Sequence, residues 1–443
     1  MAWVLLGALA LGVLGACSSL EGEDDGGDAP TETERQDTAT PSEPSATDEP
    51  GELPEGLATI LDRVAELREL EAPPDLDAEL VTRSDLPALL ASILTDEDME
   101  YFAELTTVYR LLGYLENDQD YYDVYTSFGA TGILGFYAPN EKKLWVVVED
   151  GETLDWEDLG RQAEETLAHE IVHFLQDYHF DIGQTSLEIG TDLDRGLAYT
   201  SVVEGDASAH DALYGEEYLS VLPLRSAGGV MFLRGNFAQG VDVPAPILRE
   251  IFFPYQQGAQ FIANVREEYG TERINELLEE PLKASAYVLH PELFDDGWEP
   301  EQVTLPDFAG EFGPGWEEES AGQFGEFAIM NYLRQDLIRS EAEDAATGWA
   351  GDAYQVYRDG EESVAVFRLV FANGEEADEF AELHTAYLEG VGEGLDSGLA
   401  GGRRFYEMAD GDVVATVELG GREVAFAIAT SVELAETAAA ALE

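Results

Sequence analysis

Residues 166–176 read TLAHEIVHFLQ, and this stretch contains the pattern His-Glu-x-x-His. Its apolar residues, with no Pro or Gly from Arg161 to Ile182, predict a buried helix. Residues four apart lie on one helix face, so His169 and His173 can bind the same metal ion. Glu170 lies beside them, where its carboxylate could accept a proton from a metal-activated water. Two imidazoles suit Zn²⁺, and the stretch therefore predicts a zinc site.

The alternative interpretation is a chance match on a helix that holds two ordinary histidines. The chain has only six histidines, and two of them fall in this apolar stretch. That concentration favours the metal site.

The third ligand of such a site should come from a later helix. Residues 198–210 read AYTSVVEGDASAH, where small residues around Glu204 would let two helices approach closely. Glu204 is the candidate ligand, and Asp211 and His210 are weaker rivals. The alternative for Glu204 is a solvated helix glutamate, since the chain has 93 acidic residues.

The HExxH pattern followed by a helix with Glu-Gly-x-Ala resembles the gluzincin class of zinc peptidases. The resemblance implies that His169, His173 and Glu204 bind zinc and that Glu170 is the general base. Many gluzincins have an Asp four residues after the third ligand, whereas this chain has its nearest one, Asp206, two residues after.

Zinc peptidases with HExxH often have an antiparallel strand just before the metal helix. Residues 135–148 read GFYAPNEKKLWVVV, which predicts two strands joined by a Pro-Asn turn in that place.

Two later runs, Phe253-Pro254-Tyr255 and Leu289-His290-Pro291-Glu292, extend the resemblance. Together with HExxH and Glu-Gly-Asp-Ala they resemble a group of prokaryotic surface proteins, including haloarchaeal ones, over residues 57–354. We predict that His290, or else Tyr287, stabilises the oxyanion formed during hydrolysis. The alternative for His290 is a capping or core histidine.

The charge of the chain is extreme, with 93 acidic and 22 basic residues and a net charge of −71. Because phosphates would be repelled, nucleic acid is excluded as a partner. The acidic residues run through the whole chain instead of forming a tail. At molar salt the Debye length is only about 3 Å, which screens their mutual repulsion. The charge therefore indicates a halophilic protein.

We expect the folded protein to require salt. Lowering the ionic strength to 0.1 M lengthens the Debye length to about 10 Å and restores repulsion between carboxylates. Circular dichroism across a salt series measures the loss of structure. Equal stability at molar and 0.1 M salt would contradict the halophilic interpretation.

The first 17 residues are typical of a secretory signal peptide. An apolar run from Ala2 to Ala16 ends in Leu14-Gly15-Ala16-Cys17, which resembles a prokaryotic lipobox. The resemblance implies that Cys17 is lipidated and anchors the protein to the extracellular face of the membrane. Residues 18–56 are acidic and rich in Ser, Thr and Pro, which predicts a disordered spacer. The alternative for the first 17 residues is an N-terminal anchor that is not cleaved.

The remaining chain predicts an α+β protein in two domains. Residues 57–345 are predicted to be mostly helical with a small β-hairpin or sheet, and the gluzincin resemblance implies that they form a zincin-like catalytic domain. Residues 346–443 form a small α+β domain, in which His384 is assigned to a polar helix face. Strands are predicted there at 353–357, 363–371, 404–408, 412–419 and 423–428, with helices at 375–388 and 432–442.

The sequence thus predicts a cell-surface, lipid-anchored zinc peptidase whose substrate is a peptide or protein. The intact Glu170 favours an enzyme, because a purely structural metal site needs no base. The alternative is a non-catalytic binding or structural protein of the cell envelope that keeps the fold.

Overall fold

The computed structural model describes residues 53–151, 156–157, 159–219, 243–395 and 403–443. They form the predicted α+β fold, with a helical N-terminal part and a C-terminal antiparallel sheet. Cys17 and most of the predicted spacer lie outside the described residues. Within the described ranges, no helix has the length and apolar character needed to cross a bilayer.

The N-terminal part contains helices and a small sheet. In chain order its elements are α1 (Glu55–Arg68), β1 (Asp77–Thr82), α2 (Leu86–Ile93), α3 (Asp96–Leu111), α4 (Tyr121–Gly132), β2 (Gly135–Ala138), β3 (Lys143–Val148), α5 (Arg161–Phe180), α6 (Ile182–Ile189), α7 (Leu193–Tyr218) and α8 (Ala245–Phe253). Helix α1 begins at Glu55, two residues inside the predicted spacer.

The small sheet has the strand order β1-β3-β2. Strands β2 and β3 are antiparallel, with Gly135 opposite Val146, which confirms the predicted hairpin. Strand β1 pairs in parallel with β3 and was not predicted. Its pairing makes β3 the central strand of this sheet.

A continuous helical run follows α8. The apolar pattern of residues 244–269 predicts a long helix that breaks near Pro254. In the structure, Pro254–Gly258 form a π-helical turn that leads directly into α9 (Ala259–Tyr269). A proline lacks the N–H that an α-helix uses and clashes with the preceding turn, and the wider π-turn accommodates it without ending the helix.

The rest of the chain leads to and forms the C-terminal sheet. Its elements are α10 (Thr271–Glu279), α11 (Ala286–Leu289), α12 (Pro291–Asp295), α13 (Ala309–Phe312), β4 (Glu317–Gly322), α14 (Gly325–Leu333), α15 (Arg339–Ala346), β5 (Trp349–Asp359), β6 (Glu362–Phe371), α16 (Gly374–Val391), β7 (Gly392–Leu395), β8 (Arg403–Met408), β9 (Val413–Gly420), β10 (Glu423–Ala429) and α17 (Val432–Leu442).

The strand order of this sheet is β4-β5-β6-β10-β9-β8-β7. The five predicted strands correspond to β5, β6, β8, β9 and β10, and the two predicted helices to α16 and α17. The edge strands β4 and β7 were not predicted. Strand β4 precedes the predicted domain boundary after residue 345, and that boundary stays a prediction.

Helix α7 lies between two apolar clusters. Its Tyr199 and Val202 belong to a large cluster that extends to the C-terminal sheet. Its Ala207 belongs to a smaller cluster, formed with α1, the hairpin and the apolar face of α5. Contact on both sides buries the polar side chains of α7 as well, so these need partners inside the protein.

Candidate metal centre

Helix α5 carries His169, Glu170 and His173, and it buries all three side chains. The two imidazoles lie one helical turn apart, and their Nε2 atoms are 3.2 Å from each other. Leu167 and Ile171 on the same helix pack against α1 and the hairpin. This packing fixes the orientation of the helix that presents both histidines.

Glu204 on helix α7 faces the two imidazoles. One carboxylate oxygen lies 3.3 Å from His169 Nε2, and the other lies 3.3 Å from His173 Nε2. Glu204 is only 1% exposed, so it is not the solvated glutamate that the sequence left open. Among the described residues, these three side chains form the group whose possible ligand atoms all lie within 4.8 Å of one another.

The spacing of these atoms fits a zinc ion. Ligand atoms about 2.0–2.1 Å from zinc at tetrahedral angles lie about 3.3–3.4 Å from one another. The two Nε2 atoms lie 3.2 Å apart, and each lies 3.3 Å from a different oxygen of Glu204. Two imidazoles and a carboxylate suit zinc, whereas Ca²⁺ and Mg²⁺ take oxygen ligands. If these three side chains bound zinc, they would leave a fourth position for water or substrate, as in catalytic zinc sites.

The hydrogen bonds of the imidazoles determine which nitrogen is free. His169 Nδ1 lies 2.9 Å from Oδ2 of Asp211, and His173 Nδ1 lies 2.9 Å from Oε1 of Gln176. Because both oxygens are acceptors, Nδ1 carries the hydrogen of a neutral ring and Nε2 has the lone pair. When both rings are neutral, two lone pairs and the Glu204 carboxylate point at one another, and a bound cation would satisfy all three.

The pKa values of His169 and Glu204 also indicate that these side chains favour a positive charge between them. Burial alone would lower the pKa of His169, but hydrogen bonds to Asp211 and Glu204 raise it well above its usual range. Burial alone would raise the pKa of Glu204, and the charges of the two imidazoles lower it instead. The site thus attracts positive charge, and protons compete with a metal ion for it.

Glu170 lies beside the ligands and has different surroundings. Burial raises the pKa of its carboxyl to about 7, against the opposing charges of His169 and His173. The backbone N–H of Tyr137 on β2 also opposes the rise, but neither carboxyl oxygen has a hydrogen bond of normal geometry within the described part of the chain. Glu170 is therefore a buried carboxyl that is free to exchange a proton near neutral pH.

Strand β2 passes close to Glu170, and a glycine makes this possible. A Cβ atom at Gly135 would lie 2.9 Å from Thr166 Cγ2 and 3.3 Å from Glu170 Cγ. A larger residue would push the strand away from α5. The hairpin therefore forms one wall of the site.

Tyr255 is a site residue that the sequence analysis missed. Its ring stacks on that of His169, with 6.4 Å between centroids and 22° between planes. Its hydroxyl donates a hydrogen bond to Glu204. Burial, together with the negative charge of Glu204, raises the pKa of Tyr255 well above its usual range, so the phenol keeps its hydrogen.

A close contact between backbones holds Tyr255 in this position. A Cβ atom at Gly205 on α7 would lie 2.5 Å from the carbonyl carbon of Gly258 in the π-turn. A Cβ atom at Gly258 would lie 2.4 Å from the backbone oxygen of Ser201. These two glycines let the π-turn lie directly on α7 next to Glu204. Such π-turns are frequent at functional sites, but the sequence shows only Pro254, which normally ends or kinks a helix.

The structure places the rival ligands around the site instead of in it. Asp211 hydrogen-bonds to His169, and Asp206 accepts a hydrogen bond from Gln176. Asp206 also pairs with Arg68 of α1 in a fully buried ion pair. His210 Nδ1 lies 2.9 Å from the backbone oxygen of Asp206. Gln176 and Arg68 were not identified from the sequence.

The predicted oxyanion groups lie in other surroundings. The side chain of His290 is 42% exposed, and its Nε2 lies 2.7 Å from Oε1 of Glu326. The Tyr287 hydroxyl donates to the backbone oxygen of Trp298. Neither side chain belongs to the group formed by His169, His173 and Glu204, and the catalytic role of His290 stays a prediction.

His384 was placed wrongly. The sequence analysis put it on a polar helix face, but it is 2% exposed and packs against Tyr332, Phe380 and Phe426. Burial lowers the pKa of His384 to about 3, so the ring stays neutral.

Comparison with known proteins gives one family match. The model of a domain of unknown function, DUF8575, matches residues 312–439, which contain all seven strands described for the C-terminal sheet. This match covers less than a third of the chain and does not include the helices that carry His169, His173 and Glu204. No curated protein and no solved structure matches the chain.

Proposed function

We propose that the protein is a zinc-dependent peptidase in which His169, His173 and Glu204 hold the metal ion. One observation carries the proposal: two imidazole nitrogens and a carboxylate converge at 3.2–3.3 Å, and a neighbouring side chain holds each imidazole. Such a group of acceptors is costly to bury unless a cation joins them. Bound zinc would polarise a peptide carbonyl and lower the pKa of a coordinated water towards about 7.

Glu170 is the proposed proton carrier. Its carboxyl is next to both histidines in sequence and space, and burial raises its pKa to about 7. A general base is most effective when its pKa lies near the working pH. Glu170 would take a proton from the attacking water and deliver it to the nitrogen of the leaving amine. A metal site with a purely structural role needs no such group.

Tyr255 is the proposed donor to the developing oxyanion, in addition to or instead of the predicted His290. Its phenol keeps its hydrogen and reaches the Glu204 carboxylate, so the hydroxyl lies at the edge of the metal site. A hydroxyl in this position can donate to the carbonyl oxygen as negative charge develops there. The π-turn and the Gly205–Gly258 contact fix this position before substrate binds.

We expect Tyr255→Phe to lower kcat about 10²-fold, because one oxyanion donor is removed while the ring packing is kept. Zinc content and KM should change little. Steady-state kinetics and elemental analysis measure these quantities. Tyr178→Phe, on the exposed side of α5, is the matched control. Wild-type kcat in Tyr255→Phe would show that the hydroxyl has no part in catalysis.

The proposed location is the extracellular face of the membrane, with a lipid anchor at Cys17. The lipobox-like end of the N-terminal apolar run supports this part of the proposal. The net charge of −71 supports a high-salt environment. The substrate would then be a peptide or protein outside the cell.

The direct test is to purify the protein in molar salt, measure its zinc content and digest a mixed peptide library. We expect about one zinc ion per chain and cleavage that a chelator abolishes and added Zn²⁺ restores. Mass spectrometry identifies the cleaved bonds. Zinc without cleavage of any peptide would favour the non-catalytic envelope protein. A chain that binds no zinc would contradict the metal site itself.

A further inference from the structure

The orientation of the Gln176 side chain is fixed by its neighbours. Its Nε2 donates to the backbone oxygen of Val203 at 2.9 Å and to Oδ2 of Asp206 at 2.8 Å. Both amide hydrogens are therefore used. If the amide were turned over, its oxygen would face two acceptors at hydrogen-bond distance. The atom that faces His173 Nδ1 at 2.9 Å must be the amide oxygen.

Asp206 is held in turn by a cation from helix α1. Arg68, the last residue of α1, is completely buried, and its Nε donates to Oδ2 of Asp206 at 2.9 Å. Arg68 Nη2 donates to Asn275 at 2.7 Å. His210 Nδ1 lies 2.9 Å from Oδ1 of Asp206. Because a buried charge is strongly unfavourable without its partner, Asp206 cannot turn away from Arg68.

These contacts form a continuous chain from α1 to the metal site. Arg68 binds Asp206, Asp206 binds Gln176, and Gln176 binds the ring nitrogen of His173 that faces away from Glu204. All four side chains that take part in these contacts are buried. Each contact limits the rotation of the next group, and the last of them sets the plane of the imidazole ring.

We propose that Gln176 is a positioning residue that keeps the hydrogen of His173 on Nδ1 and so leaves Nε2 free for the metal. Through Asp206, Arg68 makes helix α1 part of the metal site. This inference rests on the proposed zinc site and extends it to residues that do not touch the metal. It explains why α5 carries a glutamine on the face that points at α7.

Gln176→Met tests the proposal, because methionine has nearly the same length but cannot replace the amide oxygen or its two donors. We expect the Kd for zinc to rise about 10- to 100-fold, the range found when outer partners of metal ligands are removed. The measurement is competition with a chelating dye in molar salt. Gln184→Met, on the exposed face of α6, is the matched control and should bind zinc like the wild type.

A second readout reports on the ring itself. The chain has six histidines, so selective ¹⁵N-histidine labelling gives few ring signals. In the zinc-loaded protein, His173 should show an Nδ1–H signal that exchanges slowly with water. In Gln176→Met this hydrogen loses its acceptor, and its exchange should accelerate. If Gln176 only filled space, the Nδ1–H signal of His173 would be the same in Gln176→Met as in the wild type.

Testing the contribution of Arg68 to zinc affinity requires a variant that still folds. Arg68→Leu combined with Asp206→Leu removes both buried charges together, and such replacements are often neutral or stabilising. Gln176 keeps its bond to Val203, so we expect a smaller loss of zinc affinity, roughly a few-fold. Wild-type affinity in this double variant would overturn the role of Arg68.

Failure of this inference can be distinguished from failure of the proposed function. If Gln176→Met binds zinc as tightly as the wild type and keeps the His173 ring signal, Gln176 has no positioning role and the zinc site stands. If the wild-type chain binds no zinc, both the proposed function and this inference are overturned. Circular dichroism of each variant in the same salt excludes unfolding as the cause of lost binding.

Discussion

Glu204→Ala is expected to abolish zinc binding and, with it, all peptide hydrolysis. The substitution leaves two imidazoles as protein ligands, one fewer than catalytic zinc sites use. It also removes the negative charge that offsets the ion, because Glu204 is the carboxylate within 3.3 Å of both Nε2 atoms. Zinc content after desalting, measured by elemental analysis, should fall from about one ion per chain to background.

A matched control distinguishes the loss of the Glu204 carboxylate from a general effect of Glu-to-Ala substitution on helix α7. Glu216→Ala lies on the exposed side of α7 and should keep both zinc and activity. Circular dichroism in molar salt should give similar helix content for both variants. If Glu204→Ala keeps one tightly bound zinc ion per chain, the third ligand is another residue. Asp211, which already touches His169, would be the next to replace.

Helix α5 and the position of Glu204 on α7 could be predicted because the sequence patterns that indicate them are local. In HExxH the spacing alone places His169 and His173 on one face of a helix. Glu204 could be proposed because its small neighbours indicate a close helix crossing, and Gly205 indeed lies against the backbone of Gly258. The hairpin could be predicted from two apolar runs around a Pro-Asn turn.

The residues that support the ligands could not be identified in the same way. Arg68 lies far from Asp206 in the sequence, and a chain with 93 acidic residues offers many possible partners for one arginine. Gln176 became significant only when Val203 and Asp206 on α7 fixed its amide. Sequence spacing within one helix carries no information about such contacts between helices.

Tyr255 was missed for a different reason. Proline inside a helical pattern normally ends or kinks the helix, so Phe253-Pro254-Tyr255 was interpreted as a break. The π-turn absorbs the proline instead, and the helix continues with Tyr255 directed at the metal site. The edge strand β4 was missed because it reads EEESAG, and charged residues at a sheet edge carry no apolar alternation.

His384 shows that an available signal can be overlooked. Ala377, Phe380, His384 and Tyr387 follow the spacing of one helical face, and all four are buried. That spacing assigns His384 to the apolar side of α16. The position of His384 in this pattern, and not its polarity, determines its burial.

Glu170→Gln is expected to keep zinc and to lower the rate of peptide hydrolysis by about 10²- to 10⁴-fold, the usual contribution of a general acid–base group. Glutamine matches the shape of glutamate and leaves His169, His173 and Glu204 in place. No hydrogen bond of normal geometry to the Glu170 carboxyl is lost within the described part of the chain, because its oxygens make none. The amide cannot accept the proton of the attacking water, so only the proton transfer is removed.

The comparison of Glu170→Gln with Glu204→Ala therefore separates chemistry from metal binding. Zinc content and hydrolysis are measured on both variants and on Glu268→Gln, an exposed control on α9. We expect Glu170→Gln to bind zinc but to hydrolyse peptides far more slowly. Glu204→Ala should lose both zinc and hydrolysis, and the control should keep both. Wild-type turnover in Glu170→Gln would show that another group carries the proton. The mechanism proposed here would then be wrong even with zinc bound to His169, His173 and Glu204.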